Sequence, residues 1–417
     1  MSQKLQAVRG AHDLLDSTVK RYRYIVETAR RIAAYYGFEE IKTPVFEPTG
    51  VFSRTLGDAS DIVTKEMYTF TDKGGDLLSL RPEGTAGAMR AFIEHGLQRQ
   101  LPVKWFYEGP MFRYERPQKG RYRQFYQIGA ELLGPEGGDA DVELISLAQN
   151  LLNALGVAER TYLEINSIGD KESRDLYRIH LVDYYKQHES HLSEDSRKRL
   201  SLNPLRILDS KDKNDIEVNE SAPRLLDDLN ESSRTQFERI QKSLKDLGIA
   251  YSINQKLVRG LDYYSHLVFE FRTHALGAQD AVLSGGRYDG LCEMMGGSPT
   301  PAVGWAAGIE RLSLLMLEDP LSTRPVALIP VGDKAERECA RLAHELRGKG
   351  FVIDLSYSGN MSNRMKKAVA HRALGAVIIG EQELAKHVVT LKILDTGAQS
   401  EVKRQNLEAE LAKLFNQ

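Results

Sequence analysis

Gln124-Phe125-Tyr126-Gln127-Ile128-Gly129-Ala130-Glu131-Leu132-Leu133 is a proline-free run of aromatic and aliphatic residues that predicts a strand. Successive side chains of a strand point to opposite faces, so Phe125, Gln127, Gly129, Glu131 and Leu133 share one side. That side carries an amide and a carboxylate around a glycine. The pattern fits the wet face of a half-buried sheet. It also fits a floor for a small polar ligand, with Gly129 leaving room, Gln127 and Glu131 supplying hydrogen bonds, and the carboxylate holding a cationic amine.

The neighbouring sequence places this strand in a larger sheet. Further strands are predicted at Lys104–Tyr107, Leu267–Phe271 and Ala281–Leu283, and a helix opens at Pro82, a favoured first helical position. No regular alternation of strand and helix links them, so antiparallel pairing is expected. From Val19 to Tyr36 apolar residues recur at helical spacing, with Gly37 placed to cap the end. Between Lys171 and Ile249 the chain turns charged and helix-forming, which predicts a helical insertion within the first domain. Glu318–Pro325 (EDPLSTRP) is a linker by its two prolines and polar residues. Beyond it a small α/β domain is expected: strand Val326–Val331, helix Lys334–Arg347, strand Val352–Leu355, helix Asn363–Leu374, strand Ala376–Ile379, then Val388–Leu394 and a closing helix. The expected domains are 1–319, with the insertion at 171–249, and 326–417.

The 417 residues suffice for two or three domains, and 41% hydrophobic with 27% charged is the balance of a globular chain. No stretch approaches the ~18 apolar residues of a membrane span, the N-terminus lacks the apolar core of a secretory signal, and a cytoplasmic protein is expected. Cys292 and Cys339 are the two cysteines, too few for a disulfide framework or a Cys-based zinc site. The net charge of −2 gives no global nucleic-acid footprint, so any RNA contact must be local. From Arg99 to Arg123 seven Lys or Arg residues face only Glu108 and Glu115, which fits a solvated loop or such a contact. A P-loop is excluded, because the Gly348-Lys349 pair is followed by Gly350. His188 and His191 lie three apart, not the four of a zinc-binding helix.

Three other segments carry chemistry-bearing residues. Leu257–Tyr264 sets Arg259 and two phenols beside Gly260, and Ser284–Gly290 reads as a flexible turn able to line a ligand. In Gly304–Leu317 the positions Gly304, Gly308 and Arg311 fall at i, i+4 and i+7. This predicts a helix face packed against something flat, with a guanidinium emerging beside it for a phosphate.

Taken together, Arg9-Gly10, Phe38–Pro44, Leu80-Arg81-Pro82-Glu83-Gly84-Thr85, Phe112–Phe125 (FRYERPQKGRYRQF), Leu257–Tyr264, Ser284–Gly290 and Gly304–Arg311 resemble, in order, the motifs of histidyl-tRNA synthetases. Phe112–Phe125 and Gly308–Arg311 look like the second and third motifs of class II synthetases generally, while Leu257–Tyr264 and Ser284–Gly290 are the histidine-specific elements. Asn203–Lys211 and the closing α/β domain look like the bacterial form. The resemblance implies an α+β catalytic domain with an antiparallel class II synthetase sheet and helical insertion, then a small α/β anticodon-binding domain. It implies a homodimer built partly near Pro44, and ATP, L-histidine and histidine tRNA as partners, with Mg accompanying ATP and no protein ligand assigned to it. Arg113 and Arg311 would grip the α- and γ-phosphates, Arg121 would assist, and Glu115 would contact the adenine end. Arg259 would stand beside the α-phosphate, making Arg113, Arg259 and Arg311 the catalytic set. Glu83, Thr85 and Gln127 would take the α-amino group, and Glu131, Tyr264 and Tyr288, with Tyr263 beside them, would surround the imidazole. Contacts to tRNA are expected from Arg116, Gln118 and Arg123, and from Arg364, Lys366, Lys367 and Arg372 of the second domain. Ser265-His266-Leu267 and Tyr126 depart from the usual family pattern. A catalytically silent synthetase-like regulatory subunit of histidine biosynthesis is the alternative. It normally lacks the second domain and loses catalytic arginines.

Overall fold

The computed structural model describes residues 5–56, 60, 62–259, 263–277, 280–320 and 324–415. Contacts divide the chain into two compact units, 1–320 and 321–417.

In the first unit the strands are β1 (Glu39–Glu40), β2 (Phe46–Pro48), β3 (Thr69–Thr71), β4 (Leu77–Leu80), β5 (Val103–Phe112), β6 (Gln124–Leu133), β7 (Tyr162–Ser167), β8 (Ser252–Ile253), β9 (Ser265–Arg272), β10 (Ala281–Arg287) and β11 (Ala302–Gly308). Eight form one sheet in the order β1-β5-β6-β11-β10-β9-β7-β8, antiparallel throughout its centre and parallel only at the two short edges. β2, β4 and β3 make a separate three-stranded sheet.

Strand periodicity divides the large sheet into a dry face and a functional one. Ile128, Ala130 and Leu132 of β6, Val303, Trp305 and Ala307 of β11, and Leu267, Phe269 and Phe271 of β9 enter one core. Helices Asp16–Tyr35, Gly138–Ala154 and Glu231–Asp246 cover it through Ile25 and Ala29, Leu144 and Ala148, and Phe237, Ile240 and Leu244. The alternate residues Gln127, Gly129 and Glu131, Gly304 and Gly308, and Glu270 lie on the other face, as period two requires. Helix Thr85–Glu94 and the insertion, helices Lys171–Gln187, Glu194–Leu202 and Lys213–Asn219, share a second core with Tyr263, Tyr264 and Tyr288.

Several expected elements shift. Gly304 to Gly308 is strand, not helix. Gly304 pairs with Glu131 on one side and Gly286 on the other, and its absent side chain leaves space that the Glu131 carboxylate fills. The helix carrying Arg311 begins at Ile309. Ser284 to Arg287 continues β10 instead of turning. The helix expected at Pro82 starts at Thr85, because the Glu83 carboxylate accepts from the Thr85 and Ala86 N–H groups at 2.6 and 2.9 Å and closes its first turn.

In the second unit β12 (Val326–Pro330), β13 (Ile353–Leu355), β14 (Gly375–Ile379), β15 (Val388–Ile393) and β16 (Gln399–Lys403) form a sheet ordered β13-β12-β14-β15-β16. The first three pair in parallel and the rest antiparallel. Helices Asp333–Gly348, Met361–Ala370 and Leu407–Phe415 accompany it. The short helix Glu381–Lys386 and β16 were not expected; their charged, exposed residues lack an apolar period.

Candidate active site

The functional face opens into a cavity of about 370 Å³ lined by Glu83, Thr85, Arg113, Glu115, Arg121, Gln127, Arg259, Tyr263, Tyr264 and Arg311 among the expected residues. Tyr122, Phe125, Asp209, Glu270, Ser284 and Glu310 also line it.

Its cationic end is built from four segments. Arg113, at the end of β5, donates from Nε to the Pro82 carbonyl at 2.9 Å and lies 5.3 Å above the Phe125 ring. Arg121 comes from the loop between β5 and β6 and is ion-paired with the buried Glu115. Arg311, in the first turn of its helix, donates to the Ala281 carbonyl at 2.6 Å. Desolvation lowers the pKa of all three. Arg113 and Arg121 lower that of Arg311 further, Arg113 that of Arg121, and Arg259 that of Arg113. Guanidinium groups remain protonated, so these directions record chiefly their burial and, beside it, a mutual repulsion that an anion would relieve. Arg259 is ion-paired with Glu270 and lies 5.5 Å from the Tyr264 ring centre, while its buried Nε has no hydrogen-bond partner among the described residues. Gly260, Leu261 and Asp262 of the same run lie outside the described residues.

The floor toward the other end is β6. Gln127 lines the cavity, and its buried Oε1 has no hydrogen-bond partner among the described residues. Glu131 is 1% exposed and does not line the open space. It accepts from Thr85 Oγ1 at 2.7 Å and from the Tyr288 hydroxyl. Burial pushes its pKa up to about 8, against the opposing pull of those hydrogen bonds. Tyr263 lies 4.7 Å from Tyr264 and 5.6 Å from Tyr288, ring centre to ring centre, so the three phenols form one cluster beside Glu131. Gly129 leaves no room for a ligand. A Cβ there, or at Gly84, would strike the ring of Tyr107, which fills the space over both glycines. Tyr107 and Glu270 were not singled out in the sequence. Glu270 sits at an alternating polar position of β9, a signal like that of Gln127 on β6.

The expected RNA contacts separate. Arg116 and Gln118 are exposed. Arg123 is half-buried, with its guanidinium 3.9 Å from the Tyr114 ring and its Nε donating to the Glu115 carbonyl. In the second unit Lys366, Lys367 and Arg372 are exposed, but Arg364 is not a surface cation. It is 7% exposed and clamps the Gly359 and Pro330 carbonyls and Glu336 at 2.7–2.8 Å.

The family model for histidyl-tRNA synthetase matches residues 10–169 and 185–312, and that for an anticodon binding domain matches 325–414. The histidine–tRNA ligase of Rhodospirillum rubrum is 55% identical over 412 residues, covering 99% of both chains. That of Gluconobacter oxydans is 51% identical over 398 residues, covering 95% of this chain and 96% of its own. The crystal structure of apo histidyl-tRNA synthetase from S. aureus matches with a TM-score of 0.81 at 33% identity, covering 99% of this chain and all of that one. With its cavity on the polar face of an antiparallel sheet and relatives matched along nearly its whole length, the chain belongs to the histidyl-tRNA synthetase family.

Proposed function

We propose that the chain is a histidine–tRNA ligase, which activates histidine with ATP and transfers it to the 3′ end of its tRNA. The observation that carries this reading is the cationic end of the cavity, where mutually repelling arginines line the same space as the buried Gln127 carbonyl, which has no partner among the described residues. In activation a histidine carboxylate oxygen attacks the α-phosphorus of ATP. A carboxyl–phosphate bond forms, the bond to the β-phosphate bridge breaks, and pyrophosphate leaves with the electron pair. A hydroxyl at the tRNA 3′ end then attacks the carbonyl, forming the ester and releasing AMP. Arg113 and Arg259 stabilise charge at the α-phosphate, Arg311 and Arg121 hold the outer phosphates, and Glu115 faces the adenine. Such positioning and electrostatic stabilisation dominate phosphoryl-type transfers, and the nucleophile is already ionised.

At the other end Gln127 accepts from the α-ammonium. Thr85 and Glu83 assist, since each Glu83 oxygen keeps a second lone pair beside its backbone bond. Glu131, Tyr264 and Tyr288 read the imidazole, with Tyr263 packed against both rings. Magnesium binds proteins through one or two carboxylates plus substrate phosphates. Glu270, which lines the cavity and accepts from Ser284 at 3.3 Å, fits that donor set. When bound, the ion would neutralise phosphate charge.

Homodimer formation near Pro44 is supported by the exposed Phe46, Phe70 and Leu77 on the small sheet and by Val45 just before it. A cytoplasmic location follows from the substrates, ATP and tRNA. The regulatory reading is disfavoured by the retained arginines and by the matched second domain. Histidine-dependent exchange of labelled pyrophosphate into ATP tests the assignment, and a purified chain that shows none would sink it.

A further inference from the structure

We infer that Arg287, held through Asp289 and Asp141, is a positioning residue that sets Tyr288 against Glu131 and so tunes affinity for histidine. The inference rests on the reading that this pair recognises the substrate side chain.

Arg287 is 0% exposed, and all five of its N–H groups have acceptors. Nε donates to Asp141, whose carboxylate oxygens lie 3.2 and 3.0 Å away. Nη2 donates to Asp141 at 2.5 Å and to the Gly137 carbonyl at 2.7 Å, and Nη1 to the Pro135 carbonyl at 3.2 Å and to Asp289 at 3.0 Å. Pro135 and Gly137 belong to the segment that leaves β6 just after Glu131, and Asp141 lies in the helix that follows. One planar group therefore ties the segment leaving β6, which carries Glu131, to the end of β10, which leads into Tyr288.

Asp289 transmits that tie to the backbone around Tyr288. The same Asp289 Oδ1 that receives Arg287 accepts the Ala302 N–H at 3.1 Å, while the Tyr288 N–H donates to the Ala302 carbonyl at 2.8 Å. The Asp289 N–H reaches Ser265 Oγ at 3.3 Å. Here the β9–β10 register also slips. Gly286 pairs with Val268 but Arg287 with Ser265, and the bulged His266 sits at φ +49°, in the left-handed region. The segment carrying Tyr288 thus loses regular pairing with β9 but stays bonded to β11, and Asp289, tied to Arg287, Ala302 and Ser265, braces it on the slipped side. Supporting bonds of this kind fix the orientation of the groups that touch a ligand.

A purely structural role and a positioning role differ in what they couple. The test uses the full chain in histidine-dependent pyrophosphate exchange, with KM for histidine and for ATP measured separately. Asp289→Ala should raise the histidine KM about tenfold while leaving the ATP KM within about twofold. Asp289→Asn should restore most of it, because the amide oxygen accepts from the same two N–H groups. In a Tyr288→Phe background Asp289→Ala should change the histidine KM by less than about twofold, although it lowers the melting temperature equally in both backgrounds. If Asp289→Ala yields no folded protein, Ser265→Ala in the same two backgrounds carries the test with the same signs. A parallel rise in both KM values, no rise in either, or effects that multiply across the two backgrounds would overturn the inference. Loss of the recognition reading looks different: Tyr288→Phe alone would leave the histidine KM unchanged.

Discussion

Replacing Glu131 with glutamine should make the ligand-free protein more stable while impairing recognition of histidine. In the empty site the carboxyl titrates near 8 instead of its usual 4.5, because burial disfavours its charged form. Below about pH 4.5 it is protonated whether the chain is folded or unfolded, and stability does not depend on it. As the pH rises, the unfolded chain releases this proton first, so native stability falls until the folded group also ionises near pH 8. At about 1.4 kcal/mol per unit, the gap between 4.5 and pH 7 amounts to about 3 kcal/mol. Glutamine never ionises, and its amide can meet the Thr85 and Tyr288 hydroxyls, which act as donors or acceptors. With an unfolding entropy of about 2.1 cal/mol/K per residue over a unit of 320 residues, the variant should melt about 4–5 °C higher at pH 7. The difference should vanish toward pH 4.5 and level off above pH 8. Thermal melts of parent and Glu131→Gln across pH 5–9 without substrates measure it, and pyrophosphate exchange reports the accompanying rise in histidine KM. A variant melting at or below the parent at pH 8, or a difference independent of pH, would refute the reasoning.

Arg259→His should fold and bind ATP and histidine yet lose roughly 10²–10³ in maximal exchange rate, the scale of one transition-state donor. Calorimetric binding with an unchanged rate would contradict its role. Truncation after Pro320, which keeps the 2.5 Å Arg21–Asp319 ion pair, should retain adenylate formation and lose most tRNA charging. Equal loss of both activities would show that the first unit depends on the second. Neutralising Lys366, Lys367 and Arg372 together should weaken tRNA binding and lower the slope of log K against log salt by up to about three units. A parent-like slope in filter binding would place the contact elsewhere on the domain.

What the sequence revealed depended on the range of the interaction. The strand Gln124–Leu133 was legible to the residue because period two is local, and its polar face could be read from Gln127 and Glu131. Gly304–Gly308 was misread because two glycines four apart carry no strand signal of their own. Strand pairing on both sides, set by β6 and β10, decides the conformation there. Arg364 was misassigned for a similar reason. Its charge is visible in the sequence, but the carbonyls of Gly359 and Pro330 that bury it converge only when the parallel sheet forms. The role of Tyr107 depends on Gly84 and Gly129, which lie in different segments and meet only in the fold.

The face of β6 explains why one sheet can serve two dissimilar ligands. Phe125, beneath Arg113, and Glu131 are six residues apart, about 20 Å of strand at roughly 3.3 Å per residue. Gln127 lies between them, so Arg113, proposed to hold phosphate, and the buried carboxyl of Glu131 occupy opposite ends of a single rigid element. The separation matters electrostatically. Were Glu131 among the arginines, their field would hold it ionised, and desolvation could not raise its pKa to about 8. Spacing along one strand keeps the two chemistries apart, while the strand's stiffness holds their separation fixed for a ligand whose carboxylate must meet a phosphate between them.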